Sequence, residues 1–88
     1  MFIIIFTFQH LTRMENAEKK FIINFGNLVK NIRIERNLSQ EMLANDANIP
    51  INQIGRIERA EINTSIITIV KIAKALQINI KDLFDFEM

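Results

Sequence analysis

The chain has no cysteine and one histidine, His10, among its 88 residues. Disulfides, thiolate nucleophiles, cysteine-based zinc sites and histidine-rich metal clusters are therefore excluded. The remaining residues supply neither a nucleophile paired with a base nor a phosphate-binding loop. We predict that the protein is not an enzyme, that it has no metal site or cofactor, and that His10 has no chemical role.

Glycine and proline are also scarce, with two glycines and one proline in the chain. A fold with many tight β-turns needs more of both, whereas a composition rich in isoleucine, leucine and alanine suits compact helices. A chain of this size buries only about two thirds of its unfolded surface, which supports one modest core. We therefore predict a single all-α domain.

Neither sign of charge prevails, because 11 lysines and arginines face 10 aspartates and glutamates, for a net charge of +1. Long apolar runs are missing as well. Residues 2–8 form a run of seven residues, far short of the roughly 18 that a membrane-spanning helix needs. No basic stretch precedes this run, as it would in a secretory signal. We therefore predict a cytoplasmic protein without membrane contact.

The apolar segment 2–8 has the composition of a β-strand, but the sequence offers no partner strand for it. Two interpretations remain open. Either translation starts at Met14, which opens a hydrophilic stretch, or the segment is an arm that pairs with a second subunit. We divide the chain into an N-terminal extension, residues 1–19, and a folded domain, residues 20–88.

Helical periodicity of the apolar residues predicts five short helices in the folded domain. They are predicted over residues 20–36, 40–47, 51–59 and 66–76, with the fifth starting after residue 79. Ser39 and Ser65 are favoured N-caps for the second and fourth helices. The spacing of Asn79 and Asp82 resembles a capping box for the fifth.

The second and third helices are separated by a three-residue corner of Asn48, Ile49 and Pro50. Asn48 tolerates the left-handed backbone that ends a helix, and Pro50 pre-sets the first turn of the next one. Two helices joined by a short corner, with one helix before them and two after, form the layout of a helix-turn-helix DNA-binding domain.

Residues 37–84 resemble the Cro/repressor-type (Xre) family of transcriptional regulators across nearly their whole length. The matching motifs keep the family's order and spacing, and they are Leu38-Ser39-Gln40, Leu43-Ala44, Ile54, Arg56-Ile57-Glu58-Arg59 and Lys71-Ile72-Ala73-Lys74-Ala75-Leu76. The resemblance implies a five-helix lambda-repressor-like domain that binds double-stranded DNA through the helix at residues 51–59.

Three positions depart from the family pattern. Asn48 stands where the turn glycine is usual, and Pro50 replaces the Ser or Thr that caps the recognition helix. Ala60 replaces the glycine that commonly closes that helix. We therefore expect either a mildly strained left-handed residue at Ala60 or a rearranged exit from the helix.

The exposed face of the third helix supplies the candidate base-reading residues. Asn52 can form two hydrogen bonds with an adenine edge, Arg56 can bind guanine O6 and N7, and Ile51 can contact a thymine methyl group. Gly55 lies between them without a side chain. It either allows the helix backbone to approach the groove closely or avoids a clash inside the protein.

Other residues are assigned by the resemblance to the phosphate backbone or to the scaffold. Gln40, at the positive end of the second helix, is implied to hold a phosphate. Gln53, Arg59 and Asn63 are predicted to contact the DNA backbone as well. The resemblance also implies an ion pair between Arg33 and Glu58 beneath the recognition helix, with a structural role.

The charge of this region predicts how strongly it binds. Residues 40–63 carry two arginines against four carboxylates, a net charge of −2, so we predict modest affinity with a clear salt dependence. Since one module contacts one half-site, we predict a homodimer on a near-palindromic operator. Phe84, Phe86 and Met88 are the predicted dimer contact, although Phe84 can equally close the core.

The predicted function is therefore a sequence-specific DNA-binding transcriptional regulator, with repression expected. The alternative is an antitoxin or other protein-interaction module that uses the same fold and binds a toxin or another protein partner. The two are compatible, because antitoxins commonly repress their own operons.

Overall fold

The computed structural model describes the backbone of residues 2–87 and the side chains of residues 16–87. The elements follow in the order α1 (Phe2–Glu35), α2 (Gln40–Ala47), α3 (Ile51–Glu58), α4 (Ile66–Leu76) and a C-terminal 3₁₀ helix (Ile80–Phe84). No strand occurs among residues 2–87. The predicted all-α class is therefore confirmed, and α2 has the predicted bounds.

The fifth predicted α-helix is wrong, because the chain forms a 3₁₀ helix there. The predicted reciprocal cap is present: the Asn79 backbone N–H donates to Asp82 Oδ2 at 3.2 Å. A separate backbone bond, from the Asp82 N–H to the Asn79 carbonyl at 2.9 Å, is an i to i+3 bond of the 3₁₀ helix. A segment of five residues closes readily with such i to i+3 bonds, and Leu83 is buried beneath it.

The first helix is longer than predicted, since α1 begins at Phe2. The β-type interpretation of residues 2–8 is therefore wrong. Apolar periodicity cannot distinguish a strand from a helix in so short a run, and a helix pairs its backbone groups without a partner strand. The side chains of residues 2–8, His10 and Met14 lie outside the described residues. The start at Met14 and the division at residue 19 remain predictions.

One hydrophobic core joins all five elements, and each contributes buried side chains to it. They are Phe25 and Val29 of α1, Leu43 and Ala44 of α2, Ile54 and Ile57 of α3, Ile72, Ala73 and Leu76 of α4, and Leu83. The apolar spacing therefore places α2 and α3 correctly against the core, whereas Ile66, which continues the apolar spacing of α4, is 74% exposed. The small Ala44 and Ala47 let α2 approach its neighbours closely, which the tight corner requires.

The corner between α2 and α3 has the predicted chemistry. Asn48 takes the left-handed conformation, with φ of 56°, and the Ile49 N–H donates to the Ala44 carbonyl at 3.0 Å. Pro50 precedes α3 and forms no side-chain cap. The two departures from the family pattern therefore leave the corner intact.

Ala60 also adopts the left-handed conformation, with φ of 59°. The Glu61 N–H donates to the Arg56 carbonyl at 2.8 Å and holds the turn in place. The chain thus keeps the backbone of the usual glycine while carrying a Cβ atom there. Of the two outcomes expected at this exit, the strained residue is the one observed.

Replacing Ala60 with glycine is expected to stabilise the fold by about 1 kcal/mol, because the left-handed conformation costs an alanine about 1–2 kcal/mol. Urea unfolding of the variant and the natural chain measures the difference. Ala17→Gly is the matched control, because Ala17 is exposed on α1 in right-handed backbone and should lose about 0.5–1 kcal/mol. A loss of stability in both variants would contradict the assigned strain.

The aromatic residues of the C-terminal segment pack against α1. The Phe84 ring stacks on Phe25 with centroids 5.2 Å apart, and Phe86 meets Phe21 edge-on at 5.1 Å. The Asn24 side-chain amide adds a hydrogen bond to the Glu87 carbonyl at 3.3 Å. These contacts tie the tail to α1 of the same chain. Met88 lies outside the described residues.

Candidate nucleic-acid interface

α3 presents one face to solvent and the other to the core. Ile51, Asn52 and Arg56 are exposed, with Ile51 51% accessible. Ile54 and Ile57 are buried on the opposite face. This division follows from the helical spacing of the apolar residues. The three side chains predicted to read bases therefore lie together on the outer face of α3.

Gly55 is buried, and two side chains cross the space above it. A Cβ atom at this position would lie 2.8 Å from Arg59 Nη1 and 3.4 Å from Gln40 Oε1. The missing side chain therefore leaves room for Arg59 and Gln40 to lie beside each other. Two of the residues predicted to contact phosphate are brought together at this point.

Gln40 opens α2, directly after the N-cap Ser39. The Ser39 hydroxyl accepts a hydrogen bond from the Met42 N–H at 3.0 Å, as predicted for this cap. The Gln40 amide nitrogen, Nε2, donates to Glu58 Oε1 at 3.0 Å. Gln40 is half-buried, and its hydrogen bond to Glu58, the last residue of α3, orients its side chain.

Arg33 of α1 and Glu58 of α3 form a bidentate ion pair. Arg33 Nε lies 2.6 Å from Glu58 Oε2, and Nη2 lies 3.1 Å from Oε1. Nη1 donates to the Leu38 carbonyl at 2.8 Å. Both residues are buried, and each carboxylate oxygen of Glu58 accepts a hydrogen bond. The network joins α1, the segment before α2 and the end of α3.

Arg59 forms a second ion pair, at the surface. Its Nε lies 2.7 Å from Glu61 Oε2, and its Nη2 donates to Oε1 at 3.3 Å. This hydrogen bond lowers the pKa of the Glu61 carboxyl group and raises the pKa of Arg59. The sequence carries no periodic signal for this pair, because Arg59 and Glu61 lie two residues apart where the chain leaves α3.

Gln53 and Asn63 are the remaining residues predicted to contact the DNA backbone. Gln53 is half-buried, and Asn63 is exposed in the loop between α3 and α4. Asn63 lies beside Phe21 and Ile22 of α1. Gln40 and Arg59, in contrast, meet at Gly55 of α3.

The comparison with known proteins identifies this arrangement. A family model described as helix-turn-helix matches residues 29–83. The chain belongs to this helix-turn-helix family. The predicted resemblance to Xre-type regulators is confirmed, and the protein is a DNA-binding transcriptional regulator of this type.

Named relatives of this helix-turn-helix protein include control proteins. The control protein C.BamHI of Bacillus amyloliquefaciens is 44% identical over 63 residues, which are 70% of this chain and 78% of C.BamHI. The restriction-modification controller protein C.AhdI from Aeromonas hydrophila matches with a TM-score of 0.71 at 35% identity. That match covers 72% of this chain and 96% of C.AhdI.

A transcriptional regulator of the HTH_3 family from Vibrio cholerae also matches, with a TM-score of 0.72 at 32% identity. The match covers 75% of this chain and 37% of the Vibrio chain. The shared part is therefore the helix-turn-helix domain. No helix in the described part of the present protein is long and apolar enough to cross a membrane.

Gly26 is a residue of this helix-turn-helix domain that the sequence analysis missed. It is buried in α1, and a Cβ atom there would collide with the carbonyl oxygen of Ile57 and lie 3.0 Å from that of Glu58. The absence of a side chain lets α1 touch the end of α3. An isolated glycine within a helical pattern was the available signal, since it costs stability unless packing requires it.

Proposed function

We propose that the protein regulates transcription by placing α3 in the major groove of a specific double-stranded DNA sequence. The observation that supports this is the division of α3 into two faces. Asn52 and Arg56 are exposed on one face, while the opposite face is buried in the core. A rigid helix with outward polar side chains is the element that such domains use to read bases.

The residues on this face have the chemistry for direct readout. Arg56 can donate two hydrogen bonds to guanine O6 and N7, and Asn52 can pair with adenine N6 and N7. Ile51 offers an apolar contact for a thymine methyl group. The three residues lie within about one and a half turns of α3 and therefore address neighbouring base pairs.

Gln40 and Arg59 are proposed to hold the phosphate backbone on one side of α3. They meet above Gly55, at the N-terminal end of α2, where the helix amides favour an anion. Gln53 and Asn63 complete the set of backbone contacts. Such contacts set the orientation of α3 in the groove without carrying sequence information.

The proposed working form is a homodimer on a near-palindromic operator, because one module covers one half-site. Ile66 and Ile67, at the start of α4, are the most exposed large apolar side chains among residues 16–87, at 74% and 65%. Covering them with a second copy removes apolar surface from water. Phe84 and Phe86 are engaged with α1 and leave this pair as the better contact.

The relatives indicate the biological setting. One is a control protein, and another is described as a restriction-modification controller protein. We propose that the present chain controls genes of a restriction-modification system in the same manner. Repression is the proposed effect, since it requires only that the bound dimer covers a promoter.

Selection from a random-sequence duplex library at moderate salt tests base reading. The natural chain is expected to enrich a palindromic motif. Arg56→Ala and Asn52→Ala should each weaken binding to it by about 1–3 kcal/mol and relax the preference at one position of each half-site. The enriched motif, placed across the promoter of a reporter gene, should then lower transcription when the protein is present.

Arg36→Ala is the matched control, because Arg36 is exposed just after α1 and outside the proposed contact face. It removes the same charge and should retain the motif. Absence of any enriched sequence with the folded natural chain would overturn the proposal. Enrichment of a motif without palindromic symmetry would overturn the dimer.

A further inference from the structure

We propose that Glu61 lowers the affinity of the protein for DNA of any sequence. Its carboxylate is paired with Arg59, and a phosphate that binds this arginine must displace it. This inference rests on the proposed function, since it assigns Arg59 to the DNA backbone. It concerns a residue with no part in base reading. Its consequence is a sequence-independent affinity lower than the arginine alone would provide.

Glu61 contacts the Arg59 guanidinium group at two points. Glu61 Oε2 accepts from Arg59 Nε at 2.7 Å, and Oε1 accepts from Nη2 at 3.3 Å. The carboxylate thus covers the edge of the guanidinium that forms bidentate contacts with phosphate oxygens. Nη1 is the group directed over Gly55 toward Gln40.

Both side chains of this ion pair are accessible to solvent. The side chains of Arg59 and Glu61 are 57% and 48% exposed, so water and ions reach both. An ion pair of this kind contributes little to folding and exchanges partners at small cost. It differs from the Arg33–Glu58 pair, which is buried and has a fixed structural partner at each oxygen.

Arg59 also lies close to the proposed phosphate site. Arg59 lies over Gly55 beside Gln40, which places it at the start of α2, where the proposed phosphate binds. A phosphate held by Arg59 therefore competes with the Glu61 carboxylate for the same guanidinium group. Binding therefore requires Arg59 to release Glu61 or to tolerate its charge, and both reduce the gain from the contact.

The two ion pairs account for part of the negative charge of residues 40–63. Of their four carboxylates, Glu58 is neutralised within the protein by Arg33, whereas Glu61 neutralises a cation of the contact face. A regulator competes for its operator against a large excess of other sequences. A carboxylate that lowers affinity for the phosphate backbone reduces the amount of protein bound to those other sequences.

Glu61→Gln tests the inference with a random-sequence duplex as the probe, in titrations at several salt concentrations. The variant is expected to bind about three- to fivefold more tightly than the natural chain near 0.1 M salt. The slope of log K against log salt should steepen by about 0.9, which corresponds to one additional charged contact. In an Arg59→Gln background the same change should have little effect.

Glu87→Gln is the matched control, since Glu87 is exposed in the tail and its loss changes the net charge equally. It should alter affinity by less than about 1.5-fold, because distant charges are screened. Equal or weaker binding of Glu61→Gln would overturn the inference, as would an undiminished effect without Arg59.

The two proposals fail in different ways. If the natural chain enriches an operator but Glu61→Gln leaves the affinity and the salt slope unchanged, only the role of Glu61 is wrong. If the folded natural chain enriches no sequence, and loss of Asn52 or Arg56 changes nothing, base reading is wrong whatever Glu61 does. Absence of any duplex binding would overturn both.

Discussion

Glu58→Ala is expected to destabilise the fold by about 3–5 kcal/mol, a large part of the stability of a domain of this size. The change leaves the guanidinium of Arg33 buried without its counter-charge, since Glu58 accepts from it at 2.6 and 3.1 Å. Gln40 loses its hydrogen-bond acceptor in the same step. Urea unfolding followed by circular dichroism measures the loss.

Two control variants separate the buried pair from carboxylate loss in general. Glu61→Ala removes the partner of an exposed arginine and should change stability little. The double variant Arg33→Met with Glu58→Leu should recover most of the loss, because apolar side chains of similar volume replace a buried pair well. Stability of Glu58→Ala within about 1 kcal/mol of the natural chain would contradict this account.

The double variant also separates stability from DNA binding. Its core is repaired, but Gln40 lacks the acceptor that orients its amide. If that orientation contributes to holding a phosphate, the double variant should fold and yet bind DNA more weakly than the natural chain. The buried pair would then set the geometry of the contact face beyond its effect on stability.

Gly26→Ala is expected to cost about 3 kcal/mol, the upper end of the usual range for overpacking. The added methyl group would collide with the carbonyl oxygen of Ile57, and backbone cannot rotate away as a side chain can. Relief requires α1 to move away from the end of α3. Since Arg33 and Glu58 span the same contact, that movement also stretches their ion pair.

Asn27→Ala provides the control, because Asn27 is the next residue of α1 and is exposed. Alanine there should be neutral or slightly stabilising through its helix propensity. The midpoints of thermal and urea unfolding should therefore fall for Gly26→Ala and stay the same or rise slightly for Asn27→Ala. A Gly26→Ala variant as stable as the natural chain would mean that the two helices do not approach as closely as described.

Several local features could be predicted from the sequence because their causes lie within a few residues. Ser39 and Ser65 cap helices through their own hydroxyl groups, and Asn48 ends α2 in a conformation that its side chain tolerates. The inward faces of α2 and α3 follow from apolar spacing alone. These short-range signals also suffice to indicate the helix-turn-helix layout.

The features that sequence analysis missed depend on residues distant in the chain or on weak local signals. Gly26 becomes important because Ile57 and Glu58 approach it from another helix. The choice between an α-helix and a 3₁₀ helix after Asn79 rests on few residues, since the segment is too short for periodicity to decide. The pairing of Arg59 with Glu61 required their actual positions in the loop.

The amino-acid sequence by itself determined the class of fold, the caps, the corner and the residues that α3 presents to solvent, since each follows from side-chain chemistry at short spacing. Only the tertiary structure decided which charges are free to meet DNA. The family resemblance already implied the Arg33–Glu58 pair, but the burial of that pair and the covering of Arg59 by Glu61 depend on where these residues lie in the folded chain. The formal net charge treats the two pairs alike. Their burial distinguishes them, because the buried pair supports the fold and the exposed pair lies on the proposed contact face.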